Sequence, residues 1–129
     1  MSTRTAQLYL EAEAASVPPL KLVRMVNAGA IEALRQSLTL LDGSDRAAFV
    51  RRVNKAQRLV AELHTSLDFE QGDAIARPLD RLYDWMQRTL TDDCLKGERR
   101  GIEAVIAVLG KLQEGWDAIR DERELSSKS

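Results

Sequence analysis

Apolar residues recur along this chain in alternating steps of three and four, and that spacing admits one kind of secondary structure. Phe49, Val53, Ala56, Val60, Leu63 and Leu67 keep the pattern without a break. Residues so spaced fall on one stripe of an α-helix. Ile102, Val105, Leu109, Leu112, Trp116 and Ile119 repeat it near the end of the chain, and Ile75, Leu79, Leu82, Met86 and Leu90 repeat it between. A further segment, roughly 19–42, carries two stripes. One runs through Leu20, Val23, Ala30, Leu34 and Leu41, the other through Leu22, Val26, Gly29, Ala33 and Leu40. A helix apolar on two sides must be covered twice, by bundle neighbours and by something else. Nowhere do β-branched and aromatic residues alternate with polar ones over the length of a strand.

The breaks between segments are short. Asp42-Gly43-Ser44-Asp45 reads as a terminating glycine followed by a serine N-cap. A second connection runs from Asp68 to Gly72, and Lys96-Gly97 marks a third. Connections of this length join antiparallel neighbours. The fold class that follows is all-α, an antiparallel up-down four-helix bundle with an N-terminal arm. Pro18-Pro19 divides the arm, 1–17, from the bundle, 18–120, because Pro19 suits a first helical turn while Pro18 keeps its predecessor extended. The charged, serine-rich stretch 121–129 reads as a flexible tail. Pro78 sits inside the third pattern, so regular helix there is predicted to begin a few residues after Gly72 or to kink near Ala74.

Composition narrows the functional classes. With 44% hydrophobic and 30% charged residues the chain is neither disordered nor membrane-like. No run approaches the roughly 20 apolar residues of a membrane span, and no apolar h-region follows Met1 as it would in a secretory signal. The single cysteine, Cys94, fits a reducing compartment, and a cytoplasmic location is expected. Lys and Arg total 19 against 20 Asp and Glu, a net charge of -1 that does not favour wholesale binding to nucleic acid or anionic lipid.

Chemistry finds little foothold. One histidine, His64, cannot supply the repeated Glu-x-x-His of a bundle metal site, so no metal or cofactor is expected. Cys94 lies among Asp92 and Asp93, which discourage a thiolate. Those two carboxylates are adjacent on a helix and diverge, so they do not share acid-base duty. Phosphate-cradling glycine motifs are absent. Arg46, Arg51, Arg52, Lys55 and Arg58 give the second helix a basic side without the interleaved aromatics of a nucleic-acid binder. The chain reads as a protein that holds another protein, not as an enzyme.

The third segment is the most specific. Leu79-Asp80-Arg81-Leu82-Tyr83-Asp84-Trp85-Met86 with Leu90 resembles the L-x-x-L-Y-D-Y-M-x-x-x-L run of FliS-type flagellin export chaperones. Upstream, Lys55-Ala56-Gln57, Leu59-Val60, Glu62-Leu63 and Ser66-Leu67-Asp68 are similar to that family's K-A-Q-x-I-I-x-E-L…S-L-D. Leu22-Val23, Met25 and Gly29-Ala30-Ile31 match its first helix, Trp116 its C-terminal tryptophan, and Tyr9 a tyrosine of its N-terminal arm. Departures stand at Asn27-Ala28, where the family has an aromatic-acidic pair, and at Pro18, Pro78 and Asp93-Cys94.

The resemblance implies binding of the disordered C-terminal segment of flagellin in the cytoplasm, which prevents polymerisation before export. Such a segment folds as helices into apolar grooves. Tyr9, Leu22, Val26, Leu82 and Trp85 are the candidate contacts on this reading, while Tyr83, Met86 and Trp116 are assigned to the core. Other flagellar regulatory or export proteins are further candidate partners. The alternative is a regulatory adaptor that sequesters a non-flagellin protein, an idea that draws on the altered Asn27-Ala28 pair.

Overall fold

The computed structural model describes residues 19–67 and 69–128, and among them every element is a helix. Helix α1 spans Pro19–Leu41, α2 Arg46–Thr65, α3 Phe69–Lys96 and α4 Arg100–Lys128. Each packs on its neighbour in sequence, and α4 closes the ring onto α1, whereas among the described residues the backbones of the diagonal pairs α1/α3 and α2/α4 do not approach closely. Cross-links fix the directions. Arg46, at the start of α2, reaches the end of α3 at Cys94 and Leu95, while His64, near the end of α2, reaches Asp80. The four helices therefore run antiparallel around a square.

The stripes meet in the middle. Ala30, Ile31, Ala33 and Leu34 of α1 join Phe49, Val53, Ala56, Val60 and Leu63 of α2, and Leu79, Tyr83, Met86 and Leu90 of α3 with Ile102, Val105 and Leu109 of α4 complete the core. Both stripes of α1 turn toward bundle neighbours, but in the second only Ala33 is buried, while Leu22, Val26 and Leu40 stay half-buried. Asn27 and Arg24 turn toward α4, while Gly29 turns toward α2, where an added Cβ would sit 3.3 Å from Leu59 Cδ1. A corner helix of a square has two neighbours, and each stripe turns toward one of them.

Helix ends depart from the sequence reading in three places. Asp45, not Ser44, caps α2: its carboxylate accepts from the Ala48 N–H at 2.9 Å. Gly43 leaves α1 through an ordinary turn, its N–H donating to Leu40 O, and the only left-handed glycine among the described residues is Gly97, at φ 66°. Helix α3 begins at Phe69, ahead of Gly72, and runs through Pro78. Downstream, Leu79, Tyr83, Met86 and Leu90 bury a continuous face, and that burial outweighs the donor lost at Pro78. Since Pro78 is exposed, replacing it by alanine restores a backbone bond without disturbing the core. We expect Pro78→Ala to stabilise the protein by about 2 kcal/mol in urea denaturation. The charged stretch beyond Arg120 continues as helix to Lys128 with Asp121, Glu122, Glu124 and Leu125 exposed.

Candidate functional site: apolar seams of the bundle

The α3 segment from Leu79 to Leu90 divides by helical position. Leu79, Tyr83, Met86 and Leu90 point into the core, with Tyr83 at 1% exposure. Asp80 and Asp84 look outward: Asp80 Oδ1 lies 2.6 Å from His64 Nε2 on α2, and Asp84 pairs with Arg88 one turn on. Leu82 and Trp85 are left between, half-buried against the edge of the core. They share a flank of α3 with Thr89 and Asp93, in steps of three and four, and this flank faces α4. A Cβ on Gly101 of α4 would lie 2.6 Å from Thr89 Cγ2 and 2.9 Å from Asp93 Oδ2.

The α3/α4 seam is tight at that corner and looser away from it. At the corner Asp93, nearly buried, accepts from the Ile102 N–H at 2.9 Å and so caps α4 from the neighbouring helix. The end of α3 is closed by a Schellman turn. Glu98 N–H donates to Asp93 O across Gly97, and the Arg46 guanidinium donates to the carbonyls of Cys94 and Leu95. Further along, full burial on α4 ends at Leu109. Val108 and Leu112 are half-buried and Ile119 is 37% exposed, all on the flank that Gly101 turns toward α3, and an added Cβ on Gly115 would meet nothing. Leu82 and Trp85 thus border an apolar seam whose far wall is Val108 and Leu112.

Leu22 and Val26 lie elsewhere. Both are half-buried on the flank of α1 that carries Gly29 and faces α2. The structure brings Leu22 together with Val26 and Leu82 together with Trp85, but on two different seams of the square. Tyr9 lies outside the described residues.

The α1/α4 contact carries a buried polar cluster. Asn27, fully buried, donates from Nδ2 to Leu109 O at 3.0 Å and to Gln113 Oε1 at 2.7 Å, and Arg24 Nε bonds Asp117 at 2.8 Å. Asn27 Oδ1 and Trp116 Nε1 are buried without a partner among the described residues. Trp116 itself is half-buried at the edge of the core. Cys94 is half-buried too, and burial pushes its thiol up while Arg46 opposes part of that rise; the flanking aspartates are not the main cause.

The profile of the family described as "Flagellar protein FliS" matches residues 1–123. The chain belongs to the FliS family. It is 30% identical to the flagellar secretion chaperone FliS of Vibrio cholerae serotype O1 over 116 residues, covering 90% of this chain and 85% of that protein. Identity to the flagellar secretion chaperone FliS of Salmonella typhimurium is 33% over 115 residues, with 88% and 85% covered. Flagellar secretion chaperone FliSB of Pseudomonas aeruginosa is 27% identical over 113 residues, with 88% and 90% covered.

Within the FliS fold of this chain, the departures noted in its sequence acquire positions. Asn27 is wired into α4 inside the bundle and only Ala28 is exposed, so that pair reshapes a helix contact more than an outer surface. Asp93 caps α4, and Cys94 supplies one of the carbonyls that Arg46 holds. Sequence reasoning missed Asp93, Gly101 and the α4 wall of the seam. A glycine in a helical pattern gives no sign of what approaches it, and the α4 stripe reads as uniformly covered until its neighbour is known. No described helix is long and apolar enough to cross a membrane.

Proposed function

We propose that this chain is a cytosolic flagellar secretion chaperone that holds the disordered C-terminal segment of flagellin and keeps it from polymerising before export. The observation that carries the reading is membership of the FliS family across residues 1–123, in a family whose curated relatives are named flagellar secretion chaperones. The physical chemistry agrees with a holding role. An amphipathic segment that folds on binding needs half-covered apolar side chains along a helix seam, and Leu82, Trp85, Val108 and Leu112 offer such a row between α3 and α4. Leu22 and Val26 offer a second, shorter row between α1 and α2, and a client wrapping the bundle would engage both. Tyr9 completes the proposed contact set from the N-terminal arm.

The test is truncation on the α3 flank. We expect Trp85→Ala to weaken binding of flagellin by about tenfold or more, as loss of an aromatic anchor does, while the variant still melts cooperatively and keeps its helical circular dichroism. Full affinity in a folded Trp85→Ala and Leu82→Ala double variant would move the client away from this seam. Binding of a flagellar protein other than flagellin, with none of flagellin, would favour the adaptor reading.

A further inference from the structure

The first sixteen residues of α2, from Arg46 to Ala61, contain five cations and no carboxylate. Arg46 is engaged with the end of α3. The other four, Arg51, Arg52, Lys55 and Arg58, are exposed and make no ion pair among the described residues. Elsewhere several exposed cations find partners, Arg88 with Asp84, Lys96 with Asp92, and Arg99 with Asp42 and Glu103, while Lys21, Arg35, Arg81 and Arg100 are exposed without an ion pair among the described residues. Acids of α3 are engaged as well, Asp80 with His64 of α2, and Asp84 and Asp92 with cations one turn on along α3.

Geometry concentrates the charge. Arg51, Lys55 and Arg58 follow steps of four and three on the side of α2 opposite Val53, Ala56 and Val60, so they form one outward stripe about 10 Å long. Arg52 flanks it on the side of Leu59, toward α1. Carboxylates bound the stripe at both ends, Asp45 as the helix cap and Glu62 one turn past Arg58. The surface is therefore a short cationic strip on a chain of net charge -1.

We propose that this strip is a second docking surface, separate from the apolar seams, and that its partner is an acidic protein helix with carboxylates at matching three-and-four spacing. Charge complementarity names the chemistry: unpaired cations on one helical face match carboxylates on one face of another. The strip is short and has no exposed aromatic for base stacking, and a net-negative chain repels a polyanion beyond it, so nucleic acid fits less well. The α2 outer face also lies away from the α3/α4 seam, which leaves both surfaces open at once.

The test uses the full chain and two fluorescent Ala/Gln-rich peptides of ~15 residues. One carries three glutamates on a single helical face; the other carries the same three spread around the helix. In low salt the one-face peptide should bind about tenfold more tightly, as three exposed ion pairs worth a factor of about two each would give, and the advantage should fade as salt is raised. The triple variant Arg51→Gln, Lys55→Gln, Arg58→Gln should lose that advantage while keeping the parent melting temperature. Equal affinity for the two peptides, or an undiminished preference in the triple variant, would overturn the proposal. So would a single-stranded DNA oligonucleotide that binds more tightly than the one-face peptide and is lost in the triple variant. Salt-sensitive dimerisation abolished by the same substitutions would instead assign the strip to a second copy of the chain.

Discussion

Tyr83→Ala should remove a large share of the protein's stability, about 3–5 kcal/mol in denaturant unfolding. Its ring is 1% exposed, stands among the largest fully buried side chains, and lies 5.8 Å from the His64 ring, centroid to centroid. A domain of this size holds about 5–15 kcal/mol in all, so the variant should melt about 10–20 °C lower. Tyr83→Phe keeps the ring and should cost about 1 kcal/mol. The pair of variants separates two roles within one motif. If Tyr83 is a core residue, Tyr83→Ala loses client binding only as it loses its fold, and binding returns under conditions that refold it. A Tyr83→Ala protein with parent stability and no client binding would place this residue on the client surface instead.

The second large effect is expected at the corner between α3 and α4. Gly101→Ala gains at most the helix-interior propensity of about 1 kcal/mol, since Gly101 is the second residue of α4. Against that, the new Cβ would stand 2.6 Å from Thr89 Cγ2 and 2.9 Å from Asp93 Oδ2. Neither neighbour yields easily. Thr89 is β-branched within a helix, and the Asp93 carboxylate is held by the Ile102 N–H. Overpacking of this kind costs about 1–3 kcal/mol, so the net change is destabilising, by about 2 kcal/mol at the upper end. Thr89→Ser removes the nearer methyl and should recover part of the loss in the double variant, a coupling measurable as a double-mutant cycle by urea denaturation. A stabilised Gly101→Ala would mean that α4 enters the bundle less closely than the structure has it.

The helices were legible in the sequence because their cores are regular. Phe49, Val53, Ala56, Val60 and Leu63 are all buried, as their spacing requires. Pairings followed from short connections, and the four-helix order from the pairings. What escaped was set by contacts between helices. Ser44 and Asp45 are both good caps, and the choice between them depends on where the helix is held. Pro78 disfavours helix by its own backbone chemistry, yet the buried face of α3 carries the helix through it. Gly101 matters for what lies 2.6 Å away in space, which no local pattern records.

The candidate contacts show the same division. Periodicity counted Leu82 in the α3 stripe and left Trp85 beside it, and both are half-buried. It could not say which neighbour each flank would meet. Leu22 and Val26 therefore read as companions of Leu82 and Trp85, whereas they flank α2 on the α1 side of the square. The Asn27-Ala28 departure likewise looked like a changed surface until Asn27 was seen bonded to Leu109 O and Gln113.

The central claim is most directly tested by isothermal titration of the full chain with flagellin from the same genome, in parallel with a flagellin lacking its C-terminal segment. One-to-one binding is expected, with a dissociation constant of about a micromolar or tighter, lost when that segment is removed. A folded, helical chain that gives no heat with intact flagellin, or equal heat with both forms, would contradict it.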